Sequence, residues 1–349
     1  MNTAPATIPR ATDLEAARRH DEAAFERLVE PHRPALQAHW YRMLGSSADA
    51  EDAVQETLLR AWKGLPGFEG RSSLRSWLYR IATNVSLKAI DRRPKRVLPV
   101  DYGPPGDPHE PPRDPLVEQV WVDAYPDEHV GDGVASPEAR YELRESVELA
   151  FIAALQHLPE RQRAVLLLRD VLGFAPSEIA ASLGATPASV YSALQRAHQA
   201  VEERLPAHSQ QATLRSIGDE RLRGLVERYL RAWEDGDVAA LVRMLTDDAT
   251  LAMPPRPTWF RGRADIRDFL RGGPCAAAGR WRRIATRANG QLAFAVYGPG
   301  ADGEALPVHA LEVLTLDGDC RIADITSFQD PAVLERFGLP PAVRSARGA

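Results

Sequence analysis

Hydrophobic residues recur every three or four positions through most of the first 205 residues, a spacing that predicts helices. Residues 21–44 carry one apolar side, and Pro31 and Pro34 interrupt it, which predicts a bent or split helix. Residues 48–63 and 76–92 read as two further amphipathic helices. In the first of these, alanine and branched residues face inward and charged residues line the opposite side.

Residues 176–195 read as two helices joined by a tight turn. Gly184 supplies the left-handed residue that closes the first helix, and Thr186 and Pro187 suit the start of the second. This pattern predicts a helix-turn-helix, whose second helix enters the major groove of DNA. An ordinary helical hairpin is the alternative reading. The second helix has one apolar stripe, formed by Val190, Leu194, Ala197 and Val201.

The hydrophobic period changes after residue 218. Two amphipathic helices, the second beginning at Asp237, precede segments that alternate as strands do. A third helix over 264–271 follows a predicted turn at 259–262. Helices followed by a run of strands predict an α+β domain with a curved sheet. The predicted strands are 249–253, 291–297, 308–316 and 321–328.

Composition places the chain among ordinary globular proteins. Its 349 residues favour two or three domains, and 44% of them are hydrophobic. No apolar run reaches the ~18 residues that a membrane span needs, and the first twenty residues do not resemble a signal peptide. Cys275 and Cys320 are too few for a disulfide scaffold, so we expect a cytoplasmic protein without a metal site or a cofactor.

Charge is distributed unevenly along the chain. The formal net charge is −5, but residues 1–96 hold 16 basic against 12 acidic residues. Residues 97–136 hold one arginine against nine acidic residues, together with eight prolines. Such a segment buries little, so we expect an extended or disordered linker. The asymmetry also suggests that separate segments have separate partners.

The first helical segment carries two candidate surfaces. Acidic residues near the start of helix 48–63 form either a docking face for a basic partner or a solvated face. Cations and aromatic residues alternate over 75–96, a combination that suits melted nucleic acid. The alternative is that Trp77 and Tyr79 complete the core, which we favour for Trp77.

Residues 49–57 (DAEDAVQET) and 68–84 (FEGRSSLRSWLYRIATN) resemble region two of bacterial RNA polymerase sigma factors of the extracytoplasmic-function (ECF) class. The resemblance implies that the first helix binds the beta-prime clamp of core RNA polymerase, through Asp49, Asp52, Gln55 and Glu56. It implies that the loop and the next helix open the minus-ten promoter element and hold a flipped base. The residues implicated there are Phe68, Ser72, Ser73, Arg80 and Asn84, to which the cationic face adds Lys88.

Residues 158–180 (LPERQRAVLLLRDVLGFAPSEIA) resemble region four of the same family. The resemblance implies that the helix-turn-helix reads the minus-thirty-five element. The residues implicated are Thr186, Ser189, Ser192, Gln195 and Arg196. In this family the corresponding linker threads the active-site cleft of the polymerase, where an acidic strand could mimic RNA.

Residues 229–255 (YLRAWEDGDVAALVRMLTDDATLAMPP) resemble the opening of SnoaL-like domains, a cone-shaped fold that here covers the last third of the chain. Such cones enclose a pocket lined by aromatic residues. A core position is the alternative reading for every candidate. His309 with Asp248 or Asp324 could form an acid–base pair, but no convincing catalytic set emerges. The candidate pocket residues are Tyr229, Trp233, Met253, Trp259, Trp281, Tyr297 and His309.

These features predict a multidomain chain, with two all-α domains and then an α+β SnoaL-like cone. The predicted boundaries are 13–96, a linker over 97–136, 137–205 and 219–341. The expected function is that of a sigma factor, not an enzyme, that binds core RNA polymerase and promoter DNA, while the cone modulates its activity by contact or through a small-molecule ligand. The alternatives are a SnoaL-like enzyme fused to a DNA-binding sensor and a one-component repressor. The clamp-like helix disfavours the repressor.

Overall fold

The structure is a computed structural model that describes residues 11–90, 95–116, 120–129, 142–276, 281–299 and 305–344. The chain divides into two compact units. The first comprises Met1–Arg96 and Glu128–Leu205, and the second comprises Val97–Asp127 and Pro206–Ala349. In the part of the chain described, no helix is both long and apolar enough to cross a membrane.

The first half of the first unit is a helical bundle whose helix ends follow from its sequence. Pro31 and Pro34 split the predicted long helix at a 3-10 turn, Glu30–His32, which confirms the expected break. Gly45 closes the next helix at φ +68°, and the Ser46 hydroxyl accepts a hydrogen bond from the Asp49 amide at 3.3 Å to start another. The helices are α1 (Ala11–Arg18), α2 (Glu22–Val29), α3 (Arg33–Leu44), α4 (Ser47–Gly64) and α5 (Leu74–Ile90).

The second half of the first unit contains the predicted helix-turn-helix. Gly184 adopts φ +58° between its two helices, and Thr186 caps the second. Helix α6 begins at Leu149, later than the apolar pattern from Leu143 suggests, because the chain turns at 146–148. The helices are α6 (Leu149–Gln156), α7 (Glu160–Leu166), α8 (Pro176–Leu183) and α9 (Pro187–Glu202), with a π-helical turn at Leu167–Val171.

The second unit is an α+β domain built on one curved sheet. Strand order is β2-β1-β6-β5-β4-β3, and β7 pairs with β5. The pairs are antiparallel except for β1 with β6. The strands are β1 (Leu245–Ala252), β2 (Trp259–Arg261), β3 (Arg282–Ala288), β4 (Gln291–Tyr297), β5 (Ala305–Leu316), β6 (Ile322–Phe328) and β7 (Ala342–Arg344).

Helices pack on one face of this sheet and enclose the main apolar core, consistent with a SnoaL-like cone. Two predictions were incomplete. Residues 259–261 form β2, not a turn, because they pair with the end of β1. Strand β3 was missed because its alternating arginines and small residues resemble a polar loop. The helices are α10 (Gln210–Ile217), α11 (Asp219–Asp235), α12 (Val238–Arg243), α13 (Arg263–Gly272) and α14 (Pro331–Glu335).

The linker differs most from expectation. Residues 97–127 belong to the second unit, and those of them that the structure describes (97–116 and 120–127) have little regular structure beyond one helical turn, Pro99–Tyr102. Trp121 and Tyr125 are buried, and the Val97 amide donates to the Val120 carbonyl at 2.9 Å. The linker therefore packs through widely spaced apolar residues and backbone hydrogen bonds, which leave no periodic signal in the sequence.

Candidate nucleic-acid and protein-binding surfaces

Helix α4 presents a mixed surface. Asp52 and Gln55 are exposed one turn apart, and Leu59 continues the same side with 47% exposure. Half-buried Glu56 accepts from Arg60 Nε at 2.6 Å on the helix surface. Sequence reasoning did not single out Leu59, because its exposure depends on how α4 is oriented in the bundle. The helix thus offers a contact face with an acid, an amide and an apolar group.

Asp49 lies apart from this face. Its carboxylate accepts from Arg96 Nη2 at 2.6 Å, and both side chains are about nine-tenths buried. It occupies the first turn of α4, where a negative charge also suits the helix dipole. In this structure Asp49 ties the end of the first helical half to α4, whereas the other three predicted polymerase-binding residues face outward.

The loop before α5 and the outer side of α5 form a second surface. Ser72, Ser73, Arg80 and Asn84 are exposed, and the Ser73 hydroxyl accepts from the Ser76 amide at 3.0 Å as a helix cap. The side chain of Lys88 lies outside the described residues. Four of the predicted minus-ten residues therefore face solvent together.

Phe68 is buried under this loop. Its ring centroid lies 5.0 Å from that of Trp77, and the Arg18 guanidinium donates to the Phe68 carbonyl. Trp77 is itself buried, so the core reading favoured for it is correct. Tyr79 is buried as well, and burial raises the pKa of its hydroxyl. Phe68 thus shapes the base of the loop.

Helix α9 carries the third surface. Ser192, Gln195 and Arg196 project into solvent from one side, opposite the buried apolar stripe. Thr186 and Ser189 cap the helix reciprocally, each backbone amide donating to the other's hydroxyl at 3.2 Å. These two exposed residues therefore fix the start of the helix, and the other three follow along it.

Tyr191 stands on the same side of α9 and was missed by sequence reasoning. It is 61% exposed, the largest exposure among the big hydrophobic residues described. A tyrosine at helical spacing usually indicates a core position, and only the orientation of α9 separates it from the neighbouring buried Val190. An exposed aromatic ring beside polar groups can contact the thymine methyl in a major groove.

Inside the second unit, a charged pair lies within the apolar core. Arg283 and Glu312 are joined by two hydrogen bonds, Nε–Oε2 at 2.9 Å and Nη2–Oε1 at 2.7 Å. The Tyr229 hydroxyl donates to Glu312 at 2.9 Å, and burial raises the pKa of Tyr229 well above the ordinary value. The Arg283 guanidinium also lies 3.4 Å from the Trp233 ring centroid. Two predicted pocket residues, Tyr229 and Trp233, therefore surround one ion pair.

The other pocket candidates are dispersed. Met253 is in the apolar core, whereas Tyr297 belongs to a separate cluster with Ala295 and Leu306. Trp259 donates through Nε1 to the linker carbonyl of Gly103 at 2.8 Å. Half-buried Trp281 packs edge-on against exposed His309, with ring centroids 4.9 Å apart.

The proposed acid–base pair does not form. Asp324 accepts from the Thr250 hydroxyl on the neighbouring strand, and burial raises its pKa. The charged groups that act on His309 are instead Glu312, Arg283 and Arg256, and desolvation of the ring lowers the pKa of the imidazole. Among the residues described, no three histidine, cysteine or acidic side chains are grouped to hold a metal ion.

We predict that Glu312→Ala destabilises the second unit by about 3–5 kcal/mol, because it leaves the buried Arg283 charge without its partner. The measurement is the urea dependence of hydrogen exchange at the β4 and β5 amides. The double variant Arg283→Met/Glu312→Leu should cost much less, since it removes both charges. Equal losses in the two variants would show that the ion pair is not the source of the effect.

Comparison with known proteins identifies the family to which the chain belongs. Three family models match the chain: Sigma-70 region 2 over residues 28–96, Sigma-70 region 4 over 148–201 and SnoaL-like domain over 226–325. The chain is 42% identical over 323 residues to the ECF RNA polymerase sigma factor SigG of Mycobacterium tuberculosis, covering 91% of this chain and 85% of that protein.

Two further similarities agree. The ECF RNA polymerase sigma factor SigE of Mycolicibacterium smegmatis is 31% identical over 195 residues, 54% of this chain and 65% of that protein. The crystal structure of the M. tuberculosis sigma factor SigJ shares the fold, with a TM-score of 0.56 and 22% identity over 91% of this chain and 99% of that one. The chain therefore belongs to the ECF RNA polymerase sigma factors, with a SnoaL-like domain as a C-terminal extension.

Proposed function

We propose that this sigma factor contacts the beta-prime clamp of core RNA polymerase through the exposed side of α4, and two promoter elements through the α5 surface and α9. Membership of the family establishes that the chain binds core polymerase and directs promoter-specific initiation. What supports the finer assignment is one observation: the polar residues of α4, α5 and α9 face solvent on three separate elements.

On α4, the proposed contact consists of Asp52, Gln55 and Glu56, with Leu59 at its edge. We assign Asp49 a structural role, because its carboxylate is paired with Arg96 inside the first unit. Substitution of an exposed acidic residue that contacts a basic partner mainly changes association with that partner. Substitution of a buried, paired acidic residue mainly changes folding stability. The two aspartates should therefore behave differently on substitution.

We predict that Asp52→Ala weakens binding to core polymerase about 3–10-fold and leaves the urea midpoint of the first unit unchanged. Asp49→Ala should lower that midpoint, because it removes a carboxylate that pairs with the buried Arg96 guanidinium. Affinity is measured by competition for core polymerase, with Glu26→Ala, an exposed acid on α2, as the matched control. Core affinity that is unchanged in Asp52→Ala would contradict the α4 assignment.

On α9, the proposed readout of the minus-thirty-five element relies on Ser192 and Gln195 for base edges and on Arg196 for phosphate. Tyr191 adds an apolar contact from the same side. The capping residues Thr186 and Ser189 fix the start of the helix and so orient these side chains. Substitution of a base-contacting residue should therefore change the sequence preference of promoter binding, and substitution of the phosphate-contacting residue should change its salt dependence.

We predict that Arg196→Ala reduces transcription from promoters that need the minus-thirty-five element about tenfold without weakening core binding. The salt slope of promoter binding should fall by about one, since one phosphate contact is lost. The measurement is in vitro transcription with reconstituted holoenzyme. Arg161→Ala, an exposed arginine on α7, is the control and should leave both quantities unchanged.

We propose that the second unit modulates initiation by holding the linker. The Asn289 side chain accepts from the Tyr125 amide at 2.8 Å, and the Tyr125 carbonyl accepts from the Asn289 amide at 2.9 Å. Asp127 accepts from the Gly290 amide at 2.7 Å and from Arg287 Nε at 3.2 Å. These contacts bind the acidic end of the linker to the turn between β3 and β4.

A second stretch of the linker crosses the region around β2. The Gly106 amide donates to the Trp259 carbonyl at 2.8 Å, and the Arg113 amide donates to the Thr258 hydroxyl at 2.8 Å. A Cβ atom at Gly106 would lie 2.9 Å from the Thr258 methyl group, so a larger residue there would displace the linker or the Thr258 side chain. A linker bound at both stretches is not available to the polymerase cleft that sigma linkers of this family enter.

We predict that Asp127→Ala raises hydrogen exchange over residues 120–127 and changes transcriptional output by at least twofold, because the linker is released. Glu110→Ala removes the same charge from an exposed linker position and should change neither quantity. Both are measured on the full chain, by exchange mass spectrometry and by transcription with core polymerase. Faster exchange with unaltered transcription would remove the regulatory assignment.

We infer that the second unit regulates and does not catalyse. Burial raises the pKa of the Cys275 thiol to about 11, so it remains a poor nucleophile, and Arg283 and Glu312 neutralise each other. We also propose that the second unit binds a small-molecule ligand. Arg283 Nη1, a buried donor without a hydrogen-bond partner among the residues described, supports this proposal. A turnover screen on the intact chain tests this inference, and any robust product would contradict it.

A further inference from the structure

The ion pair inside the second unit leaves one buried donor unused. Glu312 accepts from Nε and Nη2 of Arg283, so the carboxylate occupies one edge of the planar guanidinium. Nη1 therefore points away from Glu312, and it has no hydrogen-bond partner among the residues described. The Arg283 side chain is only 3% exposed, so bulk water does not reach this nitrogen. Buried polar atoms are nearly always hydrogen-bonded in folded proteins, and Nη1 therefore calls for an acceptor.

The surroundings of Arg283 are apolar and aromatic. Its guanidinium lies 3.4 Å from the Trp233 ring centroid, which fixes the guanidinium against one wall. Val296 lies opposite Arg283 in the register of β3 with β4, and Phe294 and Ala310 flank Val296 on the same face of the sheet. All of these residues are buried. A mainly apolar lining with one placed polar group is typical of sites for small organic molecules.

The outer end of this site is formed by half-buried groups. The Trp281 ring packs so closely on the backbone of Gly298 that a Cβ atom there would lie 2.5 Å from it. The same ring meets exposed His309 edge-on, with centroids 4.9 Å apart. Cys275 lies close enough to Arg283 for the charge of the guanidinium to act on its thiol. These groups extend the site from the buried guanidinium to the surface of the unit, where a ligand can reach it.

The charge balance of the site decides which acceptor fits. Glu312 already neutralises Arg283, and the Tyr229 hydroxyl donates to the same carboxylate. Burial raises the pKa of the Cys275 thiol to about 11, and desolvation lowers the pKa of the His309 imidazole, so both groups are neutral at neutral pH. A carboxylate ligand would bring an unpaired negative charge beside Glu312 in an apolar interior, which is unfavourable. A carbonyl oxygen can accept from Nη1 without that cost.

We propose that the second unit binds a neutral, mainly apolar molecule that carries a carbonyl oxygen, and that Arg283 Nη1 donates to this oxygen. The inference rests on the proposed binding of a small-molecule ligand and names the chemical class of that ligand. Glu312 has two effects here: it holds the guanidinium in place and it cancels its charge. The site therefore selects a hydrogen-bond acceptor in preference to an anion. A hydrogen bond from a charged donor that is otherwise unpaired should contribute at least about tenfold in affinity.

Three probes of nearly equal size separate these properties. Acetophenone has a carbonyl group, benzoate has a negative charge, and ethylbenzene has neither. Each is titrated into the full ¹⁵N-labelled chain at neutral pH, and binding is followed by the indole N–H signals of Trp233 and Trp281, assigned through single substitutions to phenylalanine. Acetophenone should shift both signals saturably and bind at least about tenfold more tightly than either of the other probes.

Variants of β3 test whether Arg283 is the donor. Arg283→Met/Glu312→Leu removes the donor together with its partner, so it leaves no buried charge unpaired and should bind acetophenone and ethylbenzene equally. Arg282→Met is the matched control, because Arg282 is the exposed neighbour on the same strand, and it should keep the preference for acetophenone. A preference that survives in the double variant, or tighter binding of benzoate to the wild-type chain, would overturn the inference.

A second measurement needs no variant. The carbonyl stretch of bound ¹³C-labelled acetophenone should lie at lower frequency than in a hydrocarbon solvent, because a guanidinium donor polarises the bond, and an unshifted stretch would also overturn the inference. Indole signals that respond to all three probes without preference would contradict the carbonyl assignment and leave ligand binding intact. Signals that respond to none would contradict the proposed ligand binding as well. The contacts of the linker are tested separately by Asp127→Ala.

Discussion

The corner between α3 and α4 is the constraint on which the first unit depends. A helix that ends in the interior leaves backbone carbonyl groups that must find donors. Here Gly45 turns the chain, and Arg163 and Gln156 supply donors from a distant part of the sequence. Ser46 then starts α4, so the same corner orients the helix that carries the proposed polymerase contact. One local need for hydrogen bonds thereby links the two sigma domains to each other.

Polar contacts also join parts of this chain that have apolar cores of their own. The core of each domain is apolar, and its burial is strongly favourable, whereas the two helical halves of the first unit, and the linker and the sheet, are also joined by hydrogen bonds. A typical intramolecular hydrogen bond contributes only about 0.5–1.5 kcal/mol net, because water replaces it when it breaks. A few such bonds are therefore enough to favour one arrangement of these parts over another.

Local rules predicted most of the helices and strands. Proline, glycine and capping residues located the break at Pro31 and the turn at Gly184, because helix ends depend on nearby residues alone. The burial of Asp49 could not be read in this way, since its partner Arg96 is 47 positions away. Both Tyr229 and Tyr297 were predicted to line a pocket. The strand register, which the sequence does not reveal, places Tyr297 on the face of the sheet opposite the ion pair. The docked linker gave no signal, because its hydrogen bonds to the sheet require no periodic side chains.

The second unit shows where a SnoaL-like fold can carry regulation. Its interior is occupied by the Arg283–Glu312 pair, which is neutral overall and closed over by Tyr229 and Trp233. Its strand ends and turns, by contrast, present backbone donors and Asn289 to the linker. A turn in which Asn289 and Gly290 both adopt positive φ directs successive amides outward, an arrangement that suits a carboxylate. We infer that in this chain the regulatory surface is the rim of the cone, and that the acidic linker is what the rim recognises.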